Sequence, residues 1–259
     1  MTPGAALVTG GAHRLGRAMA LDLAVRGWDV AVHYSSSGDA ALGLANELMS
    51  QGRKAAALHA DLLDEAQTAG LVAAAGAALG RPLTLLVNNA SIFEYDTIRS
   101  ATLKSWNRHI GSNLRAPFVL SQEFARQVPP WTGTGEPEAM GLIVNMVDQR
   151  VKKPTPEFMT YTLAKMGLWA LTQTSAQALA PNIRVNAIGP GPTIRGHRQS
   201  EEHFAKQRRA TILQRGASAE EILTALRFIV DSPGLTGQLI CVDGGQHLGW
   251  QTPDVAGVE

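Results

Sequence analysis

A doubly wound α/β fold, with a seven-stranded parallel sheet and helices on both faces, is predicted by three features of the sequence. Short apolar or β-branched runs recur along the chain, they alternate with longer segments of helical period, and a glycine-rich turn joins the first run to the first helical segment. The runs are Ala5–Val8, Asp29–Tyr34, Ala55–Ala60, Leu83–Val87, Leu142–Met146, Arg184–Ile188 and Gln238–Val242, each too short for a helix and bounded by turn residues. Helical spacing occupies Leu15–Arg26, Ala40–Gln51, Glu65–Leu79, Leu103–Gln127, Phe158–Leu179 and Ala219–Asp231. Parallel neighbours need crossover connections and helices are the usual crossovers, so this alternation predicts a parallel sheet covered on both sides. Ligands of such a sheet bind beyond the carboxyl ends of its strands. The breaker-rich stretch Pro129–Pro137 reads as a surface loop.

Composition narrows the function classes. A chain of 259 residues with 45% hydrophobic character and no composition break is expected to form one domain over 1–259. With 23 basic against 22 acidic side chains there is no net field to recruit nucleic acid or an anionic membrane, and a small-molecule substrate is the expected partner. Cys241 is the only cysteine, which excludes an intramolecular disulfide and a cysteine metal cluster. The histidines (His13, His33, His59, His109, His197, His203 and His247) form no close helical pair with a carboxylate partner, so no metal is expected. There is no G-x-S-x-G nucleophile elbow. The first residues lack the basic head and apolar stretch of a secretory signal, and no apolar run reaches membrane-spanning length, so a cytoplasmic location is expected.

Directly after the first predicted strand stands Thr9-Gly10-Gly11-Ala12-His13-Arg14-Leu15-Gly16, which then opens a helix. Glycines at such a turn let the backbone approach a pyrophosphate, while free amides and the positive end of the helix dipole receive its charge. The spacing is looser than G-x-G-x-x-G, and a turn needed only for tight packing is the plainer alternative. The second run ends in His33-Tyr34-Ser35-Ser36-Ser37, without the acidic residue that holds a ribose 2′-hydroxyl. The serines, with Arg14 or His13, could surround a 2′-phosphate, which favours NADP(H) over NAD(H). They could equally cap the helix starting near Gly38. Further on, Tyr161 and Lys165 stand at i and i+4 on one helical face. A neighbouring cation favours a phenolate, pulling the tyrosine down from about ten toward the range of a general acid–base, although such a pair is also common on helix surfaces.

Taken with Asn88-Asn89-Ala90, Asn113, Val185-Asn186-Ala187-Ile188-Gly189-Pro190-Gly191 and Val242-Asp243-Gly244-Gly245, these motifs resemble the short-chain dehydrogenase/reductase superfamily over essentially the full chain. The resemblance implies a Rossmann-type oxidoreductase using NADPH/NADP+. It implies that Tyr161 transfers the proton, Lys165 lowers its pKa and holds the nicotinamide ribose, and Asn113 orders a relay water. The expected cofactor contacts are Gly10, His13, Arg14, Leu15 and Gly16 of the turn, then His33, Tyr34, Ser35, Ser36, Asp61, Leu62, Asn89, Ala90 and Ser91. The Pro190-Gly191 turn would press on the nicotinamide, and Thr193 is a further expected cofactor contact. Family members are commonly homotetramers, which is the assembly expected here. The arginine- and histidine-rich segment from about 193 to 217 (Arg195, His197, Arg198, His203, Arg208, Arg209, Arg215) lies where the family keeps its substrate lid. Its charge could suit an anionic substrate tail, with a solvated amphipathic helix as the simpler explanation.

One position departs from the superfamily pattern. Asp148 stands 13 residues ahead of Tyr161, where a serine usually polarises a ketone oxygen. An ionised carboxylate cannot donate a hydrogen bond and repels a developing alkoxide. It suits a C=N bond or an amino-pyrimidine ring better, because such nitrogens share or receive a proton. This aspartate, with Arg14, His33-Tyr34 and the stretch from Asn88 to Phe93, resembles the pteridine and dihydromonapterin reductases. That resemblance makes Arg14, Ser91, Phe93, Asp148 and Tyr161 the expected substrate contacts, with Phe93 stacking on a planar ring. The alternatives are a carbonyl or 3-oxoacyl reductase that tolerates Asp148 as a loop or cap carboxylate, and an NADP(H)-binding protein without catalysis.

Overall fold

A computed structural model describes residues 1–196 and 199–250, so His197 and Arg198 of the expected lid lie outside the described residues. The elements run β1 (Ala5–Val8), α1 (Arg14–Val25), β2 (Asp29–Tyr34), α2 (Gly38–Ser50), β3 (Ala55–His59), α3 (Glu65–Leu79), β4 (Leu85–Asn88) and α4 (Leu103–Ile110). A π-helical turn, Gly111–Arg115, leads into α5 (Ala116–Gln127), followed by β5 (Gly141–Met146), α6 (Met159–Leu179), β6 (Ile183–Pro190), α7 (Glu201–Arg209), α8 (Ala219–Asp231) and β7 (Leu239–Val242). All seven strands are parallel, in the order β3-β2-β1-β4-β5-β6-β7. The order reverses between β1 and β4, and the loops leaving those two strands therefore diverge to opposite sides and open a crevice at the carboxyl edge.

The central strands are buried on both faces, which is why Ala5–Val8 and residues 85–87 read as unbroken apolar runs rather than alternating ones. On one face Val8, Val30, Val87 and Val144 pack against Met19, Leu23, Leu44, Leu226 and Ile229 of α1, α2 and α8. On the other, Leu7, Leu86 and Ile143 meet Leu71, Leu79, Leu120 and Phe124 of α3 and α5. Among the described residues no helix is long and apolar enough to cross a membrane.

Two expectations need correction. The expected continuous helix Leu103–Gln127 is broken into α4 and α5 by the π-helical turn, whose extra residue per turn swings Asn113 inward to full burial. The strand expected at Leu83–Val87 begins at Leu85 and includes Asn88. Asn88 is held in the core because its side-chain amide donates to Asn145 Oδ1 at 2.8 Å, Asn145 donates to Thr172 Oγ1 at 2.9 Å, and Thr172 donates to Leu168 O at 2.8 Å. This polar ladder ties β4 and β5 to α6, the helix that carries Tyr161 and Lys165. Asn145→Ala leaves the Asn88 donor without an acceptor and removes the donor to Thr172 Oγ1, and we expect a loss of about 1–3 kcal/mol of unfolding free energy in urea titrations.

Candidate active site

The turn after β1 is built on contacts that demand glycine. Gly10 has φ +60°, a conformation that side chains other than glycine rarely adopt. A Cβ at Gly16 would stand 2.1 Å from Gly10 O and 2.7 Å from Asn89 Nδ2, so the first turn of α1 is pressed against the loop it leaves. Asn89 donates from its side chain to Thr9 O at 2.8 Å and to Gly10 O at 3.2 Å, and the amides of Asn89 and Ala90 donate to Thr9 Oγ1 at 2.9 and 3.0 Å. The β1 and β4 loops are therefore one hydrogen-bonded unit.

His33 lines the cleft above the turn, and its imidazole, 1% exposed, also supports the turn from beneath. Gly10 N donates to its Nδ1 at 3.0 Å, so Nε2 carries the proton and donates to Ala60 O at 3.0 Å. Burial lowers the pKa of this ring, which keeps it neutral and preserves that pattern.

Above the turn lies a cleft of about 560 Å³. Its walls gather Gly10, His13, Arg14, Leu15 and Gly16 from the turn and Ser35 from the end of β2. Asp61 and Leu62 line it after β3, and Asn89, Ala90 and Ser91 after β4. Leu63, Arg108 and Ser112 also line it, none of them singled out in the sequence, together with Ile92, which was named only as part of the stretch from Asn88 to Phe93. Ile92 and Ser112 adjoin expected residues, whereas Arg108 reaches the cleft only because α4 packs across the loop, which no local pattern foretells. Tyr34 turns its ring toward His59, with centroids 5.5 Å apart, and Ser36 is exposed beside Ser35. Asp61 accepts the Leu63 amide at 3.0 Å, shaping the β3 loop.

Arg14 lines the cleft and also braces the neighbouring segment. It adopts φ +53°, and its guanidinium donates to Ile194 O at 2.8 Å and Arg195 O at 2.9 Å, fastening the start of the expected lid to the glycine turn. Two arginines of the lid segment are also struts. Arg208 donates to Pro192 O, Gly216 O and Ala217 O at 2.8–2.9 Å, and Arg215 pairs with Glu221 at 2.7 Å. These bonds engage the guanidiniums of both residues with protein partners. At the root of this segment Gly191 N donates to Val242 O at 3.1 Å and Thr193 Oγ1 donates to Gly191 O at 3.1 Å; a Cβ at Gly191 would meet Asp243 Cα at 2.6 Å, so the Pro190-Gly191 turn is held tightly against β7.

Beyond β5, Asp148 and Tyr161 meet. The Tyr161 hydroxyl donates to Asp148 Oδ2 at 2.8 Å, while Asp148 Oδ1 accepts the Arg150 amide at 2.8 Å, so this carboxylate caps a short helical turn and holds the phenol at once. Lys165 Nζ donates to Met146 O at 2.7 Å. Asn113 pairs twice with the backbone of Ile92, each bond 2.8 Å, and so fixes the loop that leads to Phe93. Phe93 stacks on Phe158 with centroids 4.3 Å apart and presents its ring to Tyr161 edge-on at 4.7 Å.

The electrostatics correct one expectation. Tyr161 was expected to be pulled down by Lys165. Burial raises it instead, and the Asp148 charge adds to the rise. Burial also raises Asp148, against the pull of the Arg150 amide and the Tyr161 hydroxyl. Lys165 is lowered to about 8, chiefly by burial. Tyr161 therefore holds its proton more firmly than an exposed phenol does, Asp148 ionises less readily than an exposed carboxyl, and the Lys165 ammonium, at about 8, is the group poised to titrate near neutrality.

A crevice at the strand-order reversal, a glycine turn opening α1, and a buried tyrosine and lysine one helical turn apart define a class of nucleotide-dependent oxidoreductases. The chain belongs to the short chain dehydrogenase family, whose profile matches residues 4–205. Among solved structures it is similar to FolM Alternative dihydrofolate reductase 1 from Brucella canis, complexed with NADP, at 42% identity, with 98% of each chain covered and a TM-score of 0.91. The uncharacterized oxidoreductase YgfF of Escherichia coli is 32% identical over 93% of this chain and 99% of its own length. The 3-oxoacyl-[acyl-carrier-protein] reductase FabG of Staphylococcus aureus is 28% identical over 94% of this chain and 98% of its own.

The packing at Gly16 makes a simple test. Gly16→Ala forces the turn apart, and we expect it to lower stability by about 1–3 kcal/mol. Gly43→Ala, in α2 with open space around it, is expected to be neutral or stabilising by up to about 1 kcal/mol in the same melting experiment.

Proposed function

We propose that this protein is a one-domain, NADPH-dependent reductase of a pterin or dihydropterin-like ring. The observation that carries the reading is the half-buried Asp148–Tyr161 hydrogen bond of 2.8 Å, standing where a serine would serve a ketone.

The cleft fits a dinucleotide. Its volume of about 560 Å³ falls in the range of small-ligand pockets. The φ +60° of Gly10 and the closed space at Gly16 leave the turn without side chains where a pyrophosphate would meet the start of α1. Ser35 and His13 line the cleft and β2 ends without a carboxylate, which favours a 2′-phosphate over a bare ribose hydroxyl. The NADP carried by the Brucella relative supports the same choice. When bound, NADPH supplies the hydride.

The remaining chemistry belongs to this chain. Tyr161, raised by burial, retains the proton that a ring nitrogen requires when its neighbouring carbon accepts hydride, and Asp148, accepting the Tyr161 hydroxyl, orients it. Lys165, anchored on Met146 O, places its charge one helical turn from the phenol. Phe93 and Phe158, parallel within 6°, provide an aromatic surface beside Tyr161 against which a flat heterocycle can stack. The likeness to FabG keeps a 3-oxoacyl substrate as the comparison to be made.

Following NADPH oxidation with dihydrobiopterin, dihydromonapterin and a 3-oxoacyl thioester tests the reading. We expect turnover of a dihydropterin, and a loss of at least about a hundredfold in kcat for Asp148→Ser and for Tyr161→Phe. Reaction with the thioester alone, or a gain from Asp148→Ser, would overturn it. The pH dependence has a definite sign. Lys165, lowered to about 8, carries its charge below that pH and loses it above. Thus kcat/KM for NADPH, which reports the free enzyme, is expected to fall as pH rises through about 8, with Lys165→Arg moving the fall to higher pH.

A further inference from the structure

Helix α6 carries Tyr161 and Lys165, yet it begins without a cap of its own. Its N-cap residue is Phe158, at φ +54°, whose side chain has no acceptor for the free amides of the first turn. Asp96, in the loop between β4 and α4, fills that role from a distance of 64 residues along the chain: its carboxylate Oδ1 accepts the Thr160 amide at 3.1 Å and its carbonyl accepts the Met159 amide at 3.3 Å. A carboxylate at this end of the helix is also favoured by the helix dipole.

The same loop is joined to α4 through a hydrogen-bonded chain whose direction is determined. Glu94 N donates to His109 Nε2 at 3.1 Å, so His109 Nδ1 carries the proton and donates to Thr160 Oγ1 at 2.6 Å; the Thr160 hydroxyl in turn donates to Asp96 Oδ2. Asp96, His109 and Thr160 are 2%, 0% and 2% exposed, and the His109 ring packs 6.1 Å from the ring of Tyr161. Arg108 pairs with Glu94 at 2.9 Å and holds the loop from its outer side. Burial works to raise Asp96, but its bonds from Thr160 outweigh that and leave it below the ordinary carboxylate range.

We propose that Asp96 is the N-terminal cap of the helix carrying Tyr161, supplied by the loop that carries Phe93, and that the His109–Thr160–Asp96 chain is a positioning device setting the Tyr161 hydroxyl against Asp148. None of these three side chains touches reacting atoms. They act by locking the residue just before Tyr161 to the loop that supplies the aromatic surface. Movement of that loop is therefore transmitted to the phenol. The inference rests on the proposed role of Tyr161 for its catalytic part, while its structural part stands apart from any substrate.

Thr160→Val removes the bridging hydroxyl at nearly constant shape, and Thr160→Ser keeps it. We expect Thr160→Val to lower kcat by about tenfold to a hundredfold, the scale of a misplaced catalytic group, with the Kd for NADPH unchanged and Thr160→Ser close to wild type. Crystal structures of the two variants supply the readout that needs no turnover: in Thr160→Val the Tyr161–Asp148 contact opens beyond hydrogen-bonding distance, and in Thr160→Ser it is kept. An intact contact in Thr160→Val overturns the proposal whatever the activity, as does an unchanged kcat in an active enzyme. A wild type inactive on every reductase substrate, with the contact still lost in Thr160→Val, counts against the proposed function and leaves the positioning role standing. Should Thr160→Val not yield folded protein, Asp96→Asn, which keeps an acceptor for the Thr160 amide but loses the charge, carries the same comparison.

Discussion

Parallel pairing is the constraint on which the site depends. Strands that run in one direction deliver their carboxyl ends to one edge of the sheet, and each must leave that edge through a crossover. The loops after β1, β2, β3 and β4 thereby meet over a single crevice, although they are far apart in sequence. The edge is consolidated by polar bonds that reach between strands. Asn89 binds the glycine turn, His33 spans from Gly10 to Ala60, and the Asn88–Asn145–Thr172 ladder carries the order across to α6.

Burial then decides the chemistry of the groups at that edge. Tyr161 and Lys165 are buried with Asp148 half-buried beside them, and desolvation is the largest influence on all three. It disfavours the charged form of each, raising the acid and the phenol and lowering the ammonium. Simple reasoning from a tyrosine and lysine one turn apart sees only the attraction between a phenolate and a cation. In the folded protein Lys165 directs Nζ to a carbonyl, and the nearest charge to the phenol is the carboxylate it donates to.

The basic residues of the segment after β6 illustrate a second difference between composition and function. Their number suggested a solvated amphipathic helix, or else a surface for an anionic tail. Arg208, Arg215 and Arg14 are instead engaged by carbonyls and a carboxylate that brace the segment against the glycine turn and α8. Guanidinium groups are suited to this, since their several donors lie in a fixed plane and can satisfy backbone carbonyls that regular structure leaves open.

What the sequence by itself determined is local: the alternation of short apolar runs and helical segments, the glycine turn, the i, i+4 spacing of Tyr161 and Lys165, and the aspartate in place of a serine. Hydrophobic period and turn chemistry act over a few residues, so they are readable without the fold. The order of the strands, the inward turn of Asn113, the support of Gly10 by His33, the entry of Arg108 into the cleft and the capping of α6 by Asp96 were decided only by tertiary structure. Each joins groups from distant segments, and a hydrogen bond or a desolvation between such groups has no energy until packing brings them together and excludes water, which is why no pattern along the chain announces it.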